Sequence, residues 1–154
     1  MKLSAQLKID SASIRQRSFE LNGQQFKVRV PLTLEMDAIQ KAVEAVDTAK
    51  HIADMVIPLI EKRETLEGDG FVFTDDGDVV IEGRSMRELA EQTARTEQRI
   101  TEMVRLLVPV DPAFDMTQIN YDDISEDFPF AIQLELVKKI SEVVSPGYEE
   151  ARKN

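Results

Sequence analysis

The residues that could carry chemistry are one histidine and many carboxylates, because the chain contains no cysteine. His51 lies in a segment with helical periodicity, near the polar edge of its apolar face. A catalytic or metal-binding role would need partners, and the sequence offers neither a second histidine nor a thiol. The sequence therefore predicts that His51 is a surface or half-buried helix residue.

The carboxylates form two groups whose spacing fits no metal site or acid–base site. Asp75, Asp76 and Asp78 resemble a calcium-binding loop only superficially. Counting from Asp75, the third and fifth positions are Gly77 and Val79, which supply no side-chain oxygen. Aspartate in a hairpin turn is ordinary turn chemistry. The second group sets no geometry for paired carboxylates, and its members are Asp111, Asp115, Asp122, Asp123, Glu126 and Asp127.

The wider composition points away from enzymes and nucleic-acid binders. No G-x-G-x-x-G, P-loop or G-x-S-x-G motif occurs, so we predict no enzyme, no catalytic residue, no metal and no cofactor. The net charge is −10, whereas binding to phosphates needs clustered Lys and Arg. Residues 1–30 differ, with six basic and two acidic side chains, and are expected to be solvated. No stretch approaches the roughly 18 apolar residues of a membrane span.

The elements that would position a site are hairpins interleaved with helices. Asn22-Gly23 between alternating apolar residues predicts a β-hairpin over residues 18–30. The stretch FVFTDDGDVVIEG predicts a second hairpin over residues 71–82. Apolar residues at helical spacing predict an α+β fold that is predominantly helical. Its three main helices are predicted over residues 34–62, 86–107 and 129–144, with an end or a kink at Pro58 near Ile57.

The predicted domain organisation has one domain between two polar ends. We predict a flexible arm over residues 1–17, a single α+β domain over 18–147 and a loose tail over 148–154. Ser85 and Glu88 fit a capping box at the start of the second helix. Residues 109–128 show little periodicity, and a loop of this length is usually functional or carries short turns of its own.

The apolar face of the 86–107 helix is the predicted partner-binding surface. Methionine side chains adapt to changing partners, although the spacing favours core packing as the role of most of this face. Isolated two-stranded hairpins are marginal in water, so hairpins that do not join one sheet would leave a strand edge or a helix face for another chain. The pattern therefore predicts partner binding and self-association. The predicted binding residues are Met86, Leu89, Thr93, Ile100, Met103 and Val104.

The stretch FELNGQQFKVRVPLTLEMDAIQKAV carries a resemblance to a known family. Its short hairpin, proline and Thr-Leu-Glu at a helix start resemble the beginning of tail assembly chaperones from long-tailed bacteriophages, mainly over residues 18–46. The closing stretch FAIQLELVKKISEVVSP, the acidity and the size are consistent with that family. The family shares no catalytic motif, so the resemblance assigns no site residue.

The resemblance implies a non-enzymatic role in the cytoplasm of a bacterial host. Such chaperones bind the tape-measure protein, keep its apolar helical segments soluble and help to recruit tail-tube subunits. A longer form made by ribosomal frameshifting is often found in the family. The first hairpin is then expected to be an assembly edge that the following helix supports, and the chain is expected to form homo-oligomers.

Two other classes of function remain as alternatives. One is a structural subunit of a virion or of another assembly, such as a connector or a tube component. The other is an enzyme that uses acidic residues and a divalent metal ion.

Overall fold

The computed structural model describes residues 2–145 of the chain. It confirms the α+β fold class, with two separate antiparallel sheets among many helices. The helices are α1 (Leu3–Leu7), α2 (Ser11–Ile14), α3 (Thr33–Glu44), α4 (Ala49–Met55), α5 (Ile57–Glu61), α6 (Arg63–Leu66), α7 (Met86–Val104), α8 (Tyr121–Asp127) and α9 (Phe130–Val144). The strands are β1 (Gln16–Leu21), β2 (Gln24–Arg29), β3 (Phe71–Phe73), β4 (Val79–Ile81) and β5 (Arg84–Ser85).

The described chain divides into two compact units. We call residues 2–39 with 99–145 the hairpin unit, and residues 40–98 the central unit. The prediction of a single domain over 18–147 stays a prediction, because compactness does not decide whether the units fold together. The predicted loose tail, 148–154, lies outside the described residues. No helix among residues 2–145 is both long and apolar enough to cross a membrane.

The first hairpin forms as predicted, around a tight two-residue turn. Asn22 and Gly23 both have positive φ, 50° and 78°, which is the geometry of a type I′ turn. Phe19 lies opposite Phe26, and their rings stack with centroids 5.2 Å apart. β1 begins at Gln16, two residues earlier than predicted.

The segment predicted as a flexible arm over residues 1–17 contains the short helices α1 and α2 and the start of β1. Asp10 caps α2, because its carboxylate accepts hydrogen bonds from the backbone N–H of Ala12 at 3.1 Å and from the hydroxyl of Ser13 at 2.8 Å. Arg15 donates from Nε to the carbonyl oxygen of Val30 at 2.9 Å. The segment therefore has local structure that its scattered apolar residues did not reveal, while its flexibility stays a prediction.

The predicted helix over residues 34–62 is wrong as a single element. α3 ends at Glu44, and a new helix, α4, begins at Ala49. The side chain of Asp47 accepts a hydrogen bond from the backbone N–H of Ala49 at 2.9 Å, and this local bond competes with continuation of the helix. The predicted break near Ile57 does occur, because Pro58 stands in the first turn of α5, where its missing N–H costs nothing.

The core of the hairpin unit lies between the first hairpin, the end of α7 and α9. Its buried side chains are Phe19, Leu21, Val28, Met103, Leu106, Leu136 and Ile140. Buried Gln133 is fully engaged, since its amide oxygen accepts from the hydroxyl of Tyr121 and its amide nitrogen donates to the carbonyl oxygen of Phe128, both at 2.8 Å. Burial of this polar residue is therefore tolerated.

Residues 109–128, predicted as an acidic loop, contain short helical turns, which is one of the two possibilities that the sequence analysis gives for a loop of this length. A 3-10 turn spans Met116–Gln118 and is followed by α8. Asn120 and Asp123 form a reciprocal capping box at the start of α8, with bonds of 3.0 and 2.9 Å.

The central unit has a three-stranded sheet instead of the predicted second hairpin. β5 adds to β4 through a tight turn in which Glu82 and Gly83 have φ of 50° and 78°. The sequence did not show β5 because the strand has only two residues. The core of the unit contains Val56 and Val79 from α4–α5 and β4, and Ala90 from α7.

Candidate protein-binding surface

The predicted partner-binding residues do not form one surface. Ile100, Met103 and Val104 are buried in the hairpin unit, so core packing, the role that the sequence favours for most of this face, accounts for them. Met86 is half-buried against the core of the central unit. Thr93 donates its hydroxyl to the carbonyl oxygen of Leu89 at 2.8 Å, and both residues are half-buried.

His51 is half-buried on α4, as the sequence predicts. Its Nε2 makes a hydrogen bond with Oε2 of Glu97 on α7, within the central unit. Across residues 2–145, no group of three or more histidine, aspartate and glutamate side chains is arranged to hold a metal ion.

Asp78 connects the turn of the second sheet to the start of α7. Its Oδ1 accepts hydrogen bonds from the backbone N–H groups of Arg87 at 2.9 Å and of Val79 at 2.7 Å, and its Oδ2 accepts from the hydroxyl of Ser85. Partial burial opposes ionisation, but these hydrogen bonds outweigh it and hold the pKa of Asp78 below its ordinary value.

Three of the acidic side chains in residues 109–127, those of Asp111, Asp115 and Asp123, accept hydrogen bonds from nearby backbone N–H groups. Asp111 accepts from the N–H of Ala113 at 2.9 Å, and Asp115 accepts from the N–H of Thr117 at 3.0 Å. Hydrogen bonds from the hydroxyl of Thr117 and, to a smaller extent, from its backbone N–H hold the pKa of Asp115 below its ordinary value. These carboxylates are turn and cap residues.

The chain after α7 forms a third strand-like segment beside the first hairpin. The backbone N–H of Arg29 donates to the carbonyl oxygen of Leu106, and that of Val108 donates to Lys27, both at 2.8 Å. The predicted helix over 86–107 therefore ends at Val104, because Leu106–Val108 pairs with β2. A β-branched residue before Pro109 was the available signal, since a residue that precedes proline favours extended backbone.

An open groove, which we call the loop groove, lies between the first hairpin and the chain after Leu106. It consists of two adjoining cavities of about 830 and 470 Å³. Both cavities are lined by Gln16, Leu107, Val108, Pro109 and Met116. Sequence reasoning missed the groove because the predicted helix covers Leu106 and Leu107 and the prediction leaves residues 109–128 as a loop, so nothing in the sequence places this segment beside β2.

Exposed apolar side chains are concentrated in the hairpin unit. Two of them, Val110 and Phe114, line the loop groove; Val110 is fully exposed, and 54% of Phe114 is accessible. Among residues 2–145, twelve large apolar residues are exposed, and ten of them belong to this unit. These ten are Leu3, Leu7, Ile9, Ile14, Leu32, Leu34, Val110, Phe114, Phe130 and Leu134.

Charged groups around the loop groove are held in place by ion pairs and by hydrogen bonds to backbone carbonyls. Arg29 lines one cavity and forms an ion pair with Glu35 of α3, which also accepts from Nη2 of Arg15 at 2.8 Å. Partial burial opposes ionisation of Glu35, but the hydrogen bond and charge of Arg29 and the bond from Arg15 outweigh it, so its pKa lies below its ordinary value. Arg105 donates to the carbonyl oxygen of Ile119 at 2.8 and 3.0 Å.

The first hairpin also has an open edge. Within residues 2–145, β1 has only β2 as a neighbouring strand. The side chains of Gln16, Ser18 and Glu20 stand exposed on one face of this strand, and no described strand pairs with its outer edge.

Comparison of the chain with known protein families, with curated proteins and with solved structures found no match.

Proposed function

We propose that this chain is a non-enzymatic tail assembly chaperone of a long-tailed bacteriophage. It binds the tape-measure protein in the cytoplasm of the bacterial host and promotes assembly of the tail tube. The observation that carries the proposal is the loop groove with its exposed apolar side chains. The resemblance over residues 18–46 supplies the class of client.

The loop groove suits an amphipathic helix whose apolar stripe faces its floor. Side chains spaced at i, i+3, i+4 and i+7 on such a helix would contact Val110, Phe114 and Met116, which all line the groove. Full burial of one large apolar side chain is worth about 1.5–3 kcal/mol. A few such anchors, less the cost of ordering both partners, give the moderate affinity that a transient chaperone needs.

The charge of the chain fits a role in keeping a client soluble. Each bound copy adds a net charge of −10 to the complex. Copies arranged along a long, apolar client would therefore repel neighbouring complexes and oppose aggregation.

Co-expression tests the proposal. A very long, helix-rich reading frame should lie beside this gene, and its product should be soluble and co-purify only when this chain is present. The combined substitutions Val110→Asp and Phe114→Asp should abolish co-purification without loss of folding. Leu34→Asp is the matched control, because Leu34 is an exposed apolar residue of the same unit that does not line the groove. Equal solubility of the client without this chain would refute the proposal.

A structural subunit of the virion is the second candidate, and the open edge of β1 favours it. Strand addition at that edge would allow permanent incorporation into an assembly. Mass spectrometry of purified particles distinguishes the two, since a chaperone is lost from finished particles and a subunit remains in them.

A further inference from the structure

The hydrogen-bonding pattern of the first hairpin determines which backbone groups of β1 face outward. In a hairpin with a two-residue turn, the flanking residues Leu21 and Gln24 form a hydrogen-bonded pair, and such pairs then alternate along the strands. The N–H of Val30 donates to the carbonyl oxygen of Arg15 at 2.6 Å, which continues this alternation. The N–H and C=O groups of Gln16, Ser18 and Glu20 therefore point away from β2.

The two edges of this sheet differ, because another segment of the chain pairs with the outer edge of β2 and no described strand pairs with that of β1. The outer edge of β2 is paired with Leu106–Val108, and Pro109, which has no N–H, follows. β1 has six residues without proline or glycine, and long edges of this kind favour pairing with another chain. The side chain of Arg17 occupies one outward acceptor of β1, because its Nη1 donates to the carbonyl oxygen of Gln16 at 3.3 Å as well as to that of Ile14 at 3.1 Å. Because the Arg17 side chain is exposed, it can move away, and the carbonyl oxygen of Gln16 can then accept a backbone N–H of another strand instead.

We propose that β1 pairs with β1 of a second copy of this chain, antiparallel and around a two-fold axis at Ser18. In this register, Ser18 faces Ser18 of the second copy, and Gln16 faces Glu20 of the second copy on both sides of the axis. All the outward N–H and C=O groups of the three residues are used, which gives about six hydrogen bonds between the copies.

The side chains of β1 are complementary to themselves only in the antiparallel orientation. On the outer face, the Gln16 amide donates to the Glu20 carboxylate of the second copy. On the inner face, Arg17 lies opposite Phe19 of the second copy, so no like charges face each other there. A parallel pairing in register would place Arg17 against Arg17 and Glu20 against Glu20, and like charges directly opposite each other destabilise a sheet.

The dimer has a defined dependence on salt. Residues 1–30 of each copy carry six basic and two acidic side chains, and each whole chain has a net charge of −10. The basic N-terminal segments of two copies repel each other, and so do the two negatively charged chains as wholes. The contacts within the β1 pair involve no ion pair between copies. Because salt screens this repulsion, the dimer should strengthen as ionic strength rises from about 0.05 to about 0.3 M.

Two substitutions on the same strand provide a matched test by sedimentation equilibrium of the purified chain. Ser18→Lys and Gln16→Lys each add one positive charge to the exposed face of β1. Ser18→Lys places two ammonium groups opposite each other at the axis and should weaken the dimer several-fold. Gln16→Lys places lysine opposite Glu20 of the second copy twice and should strengthen it several-fold.

A mixture of variants tests the position of the axis. Chains with Ser18→Lys and chains with Ser18→Glu should each be mainly monomeric, and their equimolar mixture should recover the dimer. Hydrogen exchange should show slower exchange of the amides of Gln16, Ser18 and Glu20 at high protein concentration than at low concentration. Circular dichroism of each variant confirms that it is folded.

The proposal is overturned if the wild-type chain is monomeric at all attainable concentrations. It is also overturned if Ser18→Lys and Gln16→Lys shift the monomer–dimer equilibrium in the same direction, or if the mixture of Ser18 variants does not recover the dimer. Either result would show that the chain associates with itself through another surface or that β1 accepts a different partner. The assay contains no client. The groove variant with Val110→Asp and Phe114→Asp should therefore dimerise like the wild type, and failure of the proposed function leaves this test unaffected.

Discussion

Asp78 and Ser85 form a hydrogen-bonded pair that joins the turn of the second sheet to the start of α7. The Ser85 hydroxyl donates to Oδ2 of Asp78 and accepts the backbone N–H of Glu88 at 3.1 Å. Oδ1 of Asp78 accepts the N–H of Arg87 at 2.9 Å. Two N–H groups of the first turn of α7 are thus satisfied, one by each residue, and the negative charge stands where the helix dipole favours it.

Removal of the Asp78 carboxylate should destabilise the central unit. We expect Asp78→Ala to lower the free energy of unfolding by about 1–2 kcal/mol, because the cap of α7 and the bond to Ser85 are lost together. Urea denaturation followed by circular dichroism measures the change. Asp75→Ala is the control, since Asp75 is an exposed residue of the same turn; an equal effect of both substitutions would contradict this role for Asp78.

Glu35 should make stability depend on acid pH. Its pKa is lowered in the folded chain by Arg29 and Arg15, so its contribution is complete above the ordinary glutamate pKa and is lost as the pH falls through the lowered value. Glu35→Gln should cost about 0.5–1 kcal/mol at neutral pH, a value typical of partly exposed ion pairs. Below about pH 4 the difference between variant and wild type should shrink.

Denaturation with urea at a series of pH values measures this dependence. Asp37→Asn, two residues further along α3, is the control. A difference between Glu35→Gln and wild type that stays constant down to the most acid pH would show that the pairing with Arg15 and Arg29 is not the cause.

The turn of the first hairpin should be sensitive to substitution at Gly23. This residue has φ of 78°, and no heavy atom lies within 4 Å of the position that a Cβ would occupy. Gly23→Ala should therefore cost about 1 kcal/mol through backbone conformation alone. Asn22→Gly should be nearly neutral, because glycine also adopts positive φ. Thermal unfolding compares the two, and an effect of Asn22→Gly larger than that of Gly23→Ala would be inconsistent with a type I′ turn.

Ile100 should tolerate no charge. Its side chain is 1% exposed and packs with Val104 and Ile124, so Ile100→Glu should cost several kcal/mol and unfold the hairpin unit. Met86→Glu should have a smaller effect, because Met86 is only half-buried. Arg99→Glu, at the adjacent exposed position of α7, is the control. A folded Ile100→Glu variant that merely loses a partner would instead support the binding role predicted from the sequence.

The identification of the first hairpin and of the later helices shows what local sequence is able to predict. Asn22-Gly23 has few alternatives to a type I′ turn, and the apolar spacing of α7 and α9 persists over many residues. The predicted helix over 34–62 failed because the side chain of Asp47 offers a competing partner to the backbone, and a count of apolar spacing does not weigh such a bond.

The candidate binding surfaces were less accessible to prediction. The sequence placed a binding role on the apolar face of α7, where Ile100, Met103 and Val104 prove to be core. It could not distinguish an apolar stripe that meets other elements from one that meets solvent, since both have the same periodicity.

The sequence by itself determined the α+β class, the first hairpin and its turn, and the approximate positions of α7 and α9, because these depend on contacts between residues close along the chain. Only the tertiary structure decided that Leu106–Val108 pairs with β2, that Asp78 accepts a helix N–H nine residues away, and that β1 has no second neighbouring strand within residues 2–145. These features depend on contacts between segments that are distant along the chain. Such contacts form only when the chain has folded, so no single stretch of the sequence predicts them.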